Sequence, residues 1–404
     1  MSTVGKGLEG IAIAESSIST VDGVNSKLMY RGYDVPELSA RASFEEIVHL
    51  LWYGALPTQQ QLDDLKARLA SRRKLPDQLL DMIRVTPKDA DPIDMLRTMV
   101  SALGMFDPLA NDGSDEALFE KAATLTARFP SILAAFHRIG NGLEPLDPRP
   151  DLDHAANFLY MYHGKEPDKR TTRALETYLV LLADHEFNAS TFAARMITST
   201  LTDMYSAVTG AIGALKGPLH GGAPNGVYDM LIEIGTPDKA NDWFENAMAT
   251  KFRIMGIGHR VYKAMDPRAT VLREHARELT LSTGNPVWYA ISRQIELLAL
   301  SHPYFQERKL FTNVDYYSVT VLTSLGFPVE MMTPIFAVSR VAGWTAHVIE
   351  QFRNNRLMRP RAEYVGPVNS VWQEIEDRTP GVIYIEDDMG NLKPFGDNEE
   401  ETTT

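Results

Sequence analysis

The sequence predicts an all-α fold, and three observations carry that prediction. Apolar residues recur three or four apart from Ser43 onward, capping residues stand ahead of those runs, and no long alternating strand pattern interrupts them. The opening, Gly7 to Met29, reads as extended segments and turns with only minor β-structure. Ser43 then caps a helix carrying Ile47, Val48, Leu50 and Leu51, closed by Gly54 and Pro57, and Thr58 caps the next. Asp94 to Gly104, Leu118 to Phe136 and Asp153 to Tyr162 repeat the rhythm, separated by clusters such as Asp147-Pro148-Arg149-Pro150. Ser206 to Leu215 is built on Ala207, Gly210, Ala211, Gly213 and Ala214, although each helical Gly costs about 1 kcal/mol relative to Ala. Close approach of another helix would offset that cost, either between subunits or within one. Near the end, Thr333 as N-cap and Pro334 at the first helical position lead into Ile335, Val338, Ala342, Thr345, Ile349 and Phe352. After Pro367 the character changes. Val382 to Ile385 is a candidate edge strand, and the acidic run Asp397-Asn398-Glu399-Glu400-Glu401 is expected to be disordered.

Composition narrows the function. A chain of 404 residues exceeds one typical domain, so one large unit with an inserted or appended smaller one is expected. With 44% hydrophobic and 23% charged residues it folds as a globular protein. A net charge of -13 without any Lys/Arg cluster argues against a nucleic-acid partner. The chain has no cysteine, which excludes disulfides, thiolate catalysis and Cys-based metal centres and fits a reducing compartment. No apolar run reaches the roughly 20 residues of a membrane span, and Met1 to Gly10 lacks a signal-peptide pattern. A cytoplasmic protein without membrane contact is expected.

Three of the ten histidines sit where core packing does not explain them. His220 lies in Gly217-Pro218-Leu219-His220-Gly221-Gly222, and His259 in Gly256-Ile257-Gly258-His259-Arg260-Val261-Tyr262-Lys263. Glycines there let a ligand approach the main chain, and the following cations suit an anionic one. His185 is the third. A Gly-flanked histidine is as readily a turn residue, and the dinucleotide fingerprint is missing its third glycine, so a Rossmann reading fails. No His-x-x-x-His pair or dense carboxylate pattern supports a metal site. Asp315 stands among aromatics in Phe311-Thr312-Asn313-Val314-Asp315-Tyr316-Tyr317-Ser318, where desolvation would raise its pKa toward that of a useful base. A buried capping aspartate fits the same pattern. Arg268, Arg340 and Arg359 each read singly as surface residues. Together they match a dicarboxylate in bidentate geometry.

In their order and separation, Gly217 to Gly222, Gly256 to Arg268 and Asn313 to Ser318 resemble the three signature segments of citrate synthases. Gly7 to Gly10, Tyr30 to Asp34, His185 to Ser190 and Asn355 to Pro360 are also similar to that family, so the resemblance spans Gly7 to Pro367. It implies a large helical domain, 1–220 and 326–370, with a smaller helical domain, 221–325, closing over a cleft, and a C-terminal extension, 371–404. It implies condensation of oxaloacetate with acetyl-CoA followed by hydrolysis of citryl-CoA, with a coenzyme A thioester as co-substrate and neither a metal nor a permanently bound cofactor. Asp315 would take the methyl proton, His220 would bind the enolate and His259 would polarise the oxaloacetate carbonyl. His185, Arg268 and Arg340 would hold the dicarboxylate, with Arg359 reaching in from the other subunit of a homodimer with shared sites. Higher oligomers are left open. Gly256, Gly258 and Lys263 would receive coenzyme A, with Arg253, Arg260 and Lys251 nearby. Pro224 departs from the usual pattern. His185 to Ser190 and Leu201 to Tyr205 look more like 2-methylcitrate synthases, which use propionyl-CoA, whereas Gly258 to Lys263 looks like citrate synthases proper. A catalytically silent helical scaffold is the reading from another class, and six intact site residues weigh against it.

Overall fold

Ser43 and Thr58 start helices by the same reciprocal bond. Ser43 Oγ accepts the Glu46 N–H while the Glu46 carboxylate takes the Ser43 N–H, and Thr58 repeats the pair with Gln61. The helices Phe44–Tyr53 and Gln59–Arg72 follow, and Gly54 at φ 86 ends the first. The computed structural model describes residues 6–8, 10–283, 286–368, 370–386 and 392–394. They fall into two compact units, Ala14–Met358 and a smaller one drawn from Met1–Ile13 and Arg359–Thr404.

In the larger unit the expected minor β-structure is an antiparallel sheet of Ser19–Asp22, Lys27–Tyr30 and Tyr33–Asp34, with Ser19 opposite Tyr30 and Asp22 opposite Lys27. Everything else regular there is helical among the described residues. The helix Met332–Arg353 is buried along nearly its whole length. Around it pack Phe44–Tyr53, Asp115–Gly140, Lys169–Leu182, Ala189–Thr198 and Met204–Leu215. Trp52 and Trp344 are fully buried in this core, and Trp52 Nε1 donates to Thr345 Oγ1 at 2.9 Å, so burying the indole orphans no donor. A second group packs Pro267–Thr283 on Val314–Ser324 and Ala240–Ala249 on Val287–Ser301. No helix of the described residues is long and apolar enough to cross a membrane.

Several expected boundaries move. Thr333 is not an N-cap: the helix begins at Met332, straight after the turn Val329–Met331, and Thr333 Oγ1 donates to the Gly221 carbonyl at 2.8 Å. Pro334 still falls in the first turn, where its missing N–H has no intrahelical partner to lose. Asp94 to Gly104 extends to Pro92–Met105 behind an Asp91 cap, and Leu118 to Phe136 to Asp115–Gly140 behind Ser114. In Met204–Leu215 the small residues divide by face. A Cβ on Gly210 would run into Ile197, so that glycine serves packing within the subunit, whereas one on Gly213 would meet nothing within 4 Å.

In the smaller unit the expected strand begins at Tyr384 rather than Val382, and Tyr384–Glu386 pairs antiparallel with Leu392–Pro394. The acidic run from Asp397 lies outside the described residues.

Gly343 marks where Met332–Arg353 crosses the 183–184 segment. Its N–H donates to the Ala183 carbonyl at 3.1 Å, and a Cβ would strike that carbonyl oxygen and Asp184 Oδ1 and come within 3.1 Å of Asp184 Cβ. Gly343→Ala should therefore destabilise the protein by about 1 to 3 kcal/mol, as overpacking does. A guanidinium unfolding midpoint equal to wild type would show that the crossing can widen freely.

Candidate active site

Side chains from six segments converge inside the larger unit. His185 lies between Lys169–Leu182 and Ala189–Thr198, whose N-terminus Asn188 caps by accepting the Ser190 and Thr191 N–H groups at 3.2 and 3.1 Å. Its Nε2 is 3.2 Å from Tyr262 Oη, and its ring centroid is 5.6 Å from that of His259. His220 sits in the turn between Met204–Leu215 and Ala223–Ile234. That turn folds so tightly that a Cβ on Gly221 would lie 2.8 Å from Leu215 Cγ, which is why glycine follows the histidine. His220 Nε2 lies 2.9 Å from Ser190 Oγ, a fully buried hydroxyl that also accepts the Trp344 N–H at 3.1 Å and lies 2.8 Å from Asn188 Oδ1.

His259 lies on the loop between Ala240–Ala249 and Pro267–Thr283. Its Nδ1 accepts the Val261 and Tyr262 N–H groups at 3.0 and 3.2 Å, and a neutral ring with Nδ1 as acceptor carries its proton on Nε2. Gly256 at φ +75 and Gly258 at φ +100 shape this loop, and a Cβ on Gly256 would lie 2.8 Å from the Tyr316 ring. The Gly256 carbonyl accepts the Asn313 N–H, the Gly258 N–H donates to the Phe311 carbonyl, and the Gly258 carbonyl accepts from Asn313 Nδ2, all at 2.7 to 2.9 Å. These glycines thus knit the histidine loop to the strand of chain leading into Asp315.

Asp315 occupies the first turn of Val314–Ser324, and its own N–H is capped by Asn313 Oδ1 at 3.0 Å. Arg268 occupies the first turn of Pro267–Thr283 and is held bidentate by Asp266, Nε to Oδ1 at 3.0 Å and Nη2 to Oδ2 at 2.8 Å. Arg340, 1% exposed inside Met332–Arg353, donates Nε to the Leu182 carbonyl at 2.7 Å, while its buried Nη1 has no partner among the described residues. An unpartnered buried guanidinium N–H is costly unless something fills it, and a carboxylate is the group it fits.

Burial sets the charge states. It lowers His220 and His259 to about 4 and His185 well below its ordinary value, with the nearby cations Arg340 and Arg268 adding to the effect. All three are neutral hydrogen-bonding rings at neutral pH. Burial raises Asp315 to about 6, against the pull of Arg268 and Arg340 and helped by Asp266. The cleft thus joins a carboxylate strengthened as a base to neutral donors and two buried guanidiniums, a set suited to forming and stabilising an enolate beside a dianion.

His185, His220, His259, Arg268, Arg340 and Asp315 are brought together, linked by the contacts and electrostatic couplings above. Arg359 belongs to the smaller unit and is exposed. Lys251, Arg253, Arg260 and Lys263 are exposed cations on and beside the His259 loop. Sequence reading missed Tyr262 as partner of His185, Asp266 as clamp on Arg268, and Ser190 and Trp344 behind His220. Tyr262, Asp266 and Ser190 lie within runs already singled out, but Tyr262 and Ser190 make their contacts across the fold, while Asp266 grips Arg268 two residues on. Among the described residues no group of three or more His, Cys, Asp or Glu side chains is arranged to hold a metal ion.

The family model "Citrate synthase, C-terminal domain" matches residues 7–361. "Citrate synthase 2" of Bacillus subtilis is 46% identical over 377 residues, covering 93% of this chain and all of that protein. A 2-methylcitrate synthase of Shewanella oneidensis is 40% identical over 90% of this chain and 95% of its own length. Among solved structures, the citrate synthase of Thermoplasma acidophilum, in a ternary complex with carboxymethyl coenzyme A and oxaloacetate, matches with a TM-score of 0.87 and 36% identity. That match covers 93% of this chain and 99% of the other.

A step in which Asp315 accepts a proton switches on as pH rises through about 6: below that value the carboxyl is already protonated, and above it the carboxylate is free. His220 and His259, neutral above about 4, add no second transition. The pH profile of kcat/KM, which reports the free enzyme, should show one acid limb with a midpoint near 6. A midpoint near the ordinary carboxylate value would mean that the group in control is solvated.

Proposed function

Because the chain belongs to the citrate synthase family, we propose that its cleft condenses oxaloacetate with acetyl-CoA and hydrolyses the citryl-CoA formed. The observation that carries this reading is the raised Asp315 carboxyl set among neutral histidines and two buried guanidiniums. Asp315 takes a proton from the acetyl methyl group, which is very weakly acidic, so the enolate oxygen needs a donor already in place. His220 is placed to meet it: its Nε2 is held 2.9 Å from Ser190 Oγ, which accepts the Trp344 N–H and donates to Asn188 Oδ1. His259, with its proton on Nε2, polarises the oxaloacetate ketone and protonates the alkoxide as the enolate carbon attacks. Arg268, Arg340 and His185 hold the dicarboxylate, one carboxylate filling the orphaned Arg340 Nη1. Water then attacks the citryl thioester and releases coenzyme A.

Coenzyme A lies along the His259 loop, its phosphates met by Lys263, Arg260 and Arg253, with Gly256 and Gly258 keeping the loop in shape. The segment 221–325 acts as the smaller domain that closes the cleft and excludes water, with Gly326 at φ +84 at its far boundary. The working form is a cytoplasmic homodimer. Val365, Trp372 and Ile375 in the smaller unit are 86%, 76% and 76% exposed, apolar surface that a second copy would cover. Propionyl-CoA is the second reading, favoured by the likeness to a 2-methylcitrate synthase. One methylene is worth about 1 to 3 kcal/mol of discrimination, so both thioesters can be turned over.

A thiol-release assay with oxaloacetate and either thioester tests the reaction directly. Asp315→Asn should lower kcat by about 10²- to 10⁴-fold while oxaloacetate binding, followed by thermal shift, stays near wild type. Retention of more than about a tenth of wild-type kcat would remove Asp315 from the chemistry.

Arg359 reaching into the partner's cleft can be tested by complementation. Asp315→Ala and Arg359→Ala homodimers should each be nearly inactive, yet each mixed dimer collects both lesions in one site and neither in the other. Random reassortment makes about half the molecules mixed, so roughly a quarter of wild-type activity should return. Reassortment confirmed by mass spectrometry without any gain would confine Arg359 to its own subunit.

A further inference from the structure

The hairpin Ser19–Tyr30 touches both loops that carry the dicarboxylate-binding histidines. At its base, Ser19 Oγ donates to Asp184 Oδ2 and accepts the Glu186 N–H at 2.9 Å, so it holds the residues on either side of His185. Opposite Ser19, the fully buried Tyr30 donates its hydroxyl to the Asp184 carbonyl at 3.0 Å and receives the Asp184 N–H at 3.1 Å. At its tip, the Gly23 carbonyl accepts the Lys263 N–H at 2.8 Å, and Ser26 Oγ donates to the Met265 carbonyl, beyond His259 on the other loop. Four cross-strand pairs and a turn capped by Asp22 Oδ1, which accepts the Val24 and Asn25 N–H groups at 3.1 and 2.9 Å, stiffen the span between.

We infer that this hairpin is the spacer that sets the separation of His185 and His259, with Ser19, Tyr30, Gly23 and Ser26 as positioning residues for the dicarboxylate. The inference rests on reading both histidines as oxaloacetate ligands. The tip contact has no slack. A Cβ on Gly23 would strike the Val261 carbonyl oxygen and lie 2.7 Å from its carbon. The Gly23 backbone is not in the left-handed region, so alanine there adds this collision and no torsional strain. Ser26 is held at φ 58, which a serine adopts at a cost and a glycine without one. Its hydroxyl bond to the other loop gives a serine at that position something to do.

Two full-length variants separate positioning from mere support. Gly23→Ala should raise the KM for oxaloacetate about tenfold or more and abolish most of the oxaloacetate-induced rise in Tm. Ser26→Gly should raise that KM by about threefold or more while the ligand-free Tm holds or climbs, because glycine relieves the turn as the hydroxyl bond is lost. A merely structural hairpin would move the two readouts the other way, with a lower Tm and an unchanged KM. If Gly23→Ala does not fold, Ser26→Gly decides alone. An oxaloacetate KM within about twofold of wild type in the folded variants overturns the inference. His259→Ala, measured alongside, tells the two failures apart: if it also keeps wild-type KM, the assignment of the histidines has failed, and if it alone loses affinity, only the hairpin's role has.

Discussion

The pair Asp266 and Arg268 is the interaction on which the cleft depends. One carboxylate accepts the Arg268 N–H and Nε at Oδ1 and the Arg268 Nη2 and Val314 N–H at Oδ2. It therefore joins the first turn of Pro267–Thr283 to the first turn of Val314–Ser324, placing Arg268 and Asp315 in one frame. Both partners are almost wholly buried, so losing either would strand an uncompensated charge, and the geometry is held far more firmly than an exposed ion pair would hold it. The Gly256 to Gly258 segment, bonded to Phe311 and Asn313, hangs the His259 loop on the same frame.

Withdrawal from water does the electrostatic work. The first turn of a helix stabilises a carboxylate, and two guanidiniums do so further, yet Asp315 is raised because desolvation outweighs them. The same desolvation strips the histidines of charge. A cleft with protonated histidines would protonate the base it needs, whereas neutral rings donate hydrogen bonds without competing for the proton. At His259 the main-chain N–H groups of Val261 and Tyr262 choose which nitrogen carries the hydrogen, since burial alone leaves both tautomers available.

Behind the cleft a polar chain runs along Met332–Arg353. Arg195 donates to His347 Nδ1 at 3.1 Å and to Glu350 at 2.6 Å, and His347 Nε2 faces Asp184 at 3.2 Å. Because Arg195 can only donate, His347 Nδ1 must accept, and the imidazole hydrogen points at Asp184. Asp184 is also where Ser19 and Tyr30 bind, so the residue preceding His185 is fixed from the helix and from the hairpin at once. Such a site is rigid because its supports are themselves hydrogen-bonded.

Local chemistry was legible in the sequence. Ser43 and Thr58 read as caps because capping is completed within four residues, and the long apolar stripe from Ile335 to Phe352 read as a helix because periodicity is a local property. The candidate side chains were legible as well, since glycine-bracketed histidines and a carboxylate among aromatics are unusual enough in sequence to single out. Local signals failed where a neighbouring element decided the outcome: Thr333 looked like a cap until the turn at Val329–Met331 carried the helix past it. Gly210 and Gly213 looked alike until Ile197 filled the space beside one of them. Tyr262 meeting His185, Asp266 gripping Val314, and a hairpin near residue 20 reaching loops near residues 185 and 263 are pairings across tens to hundreds of residues. The residue types that do the chemistry were set by the sequence, while charge states, tautomers and spacings were decided by tertiary structure, because burial and long-range hydrogen bonds exist only once the chain has closed on itself.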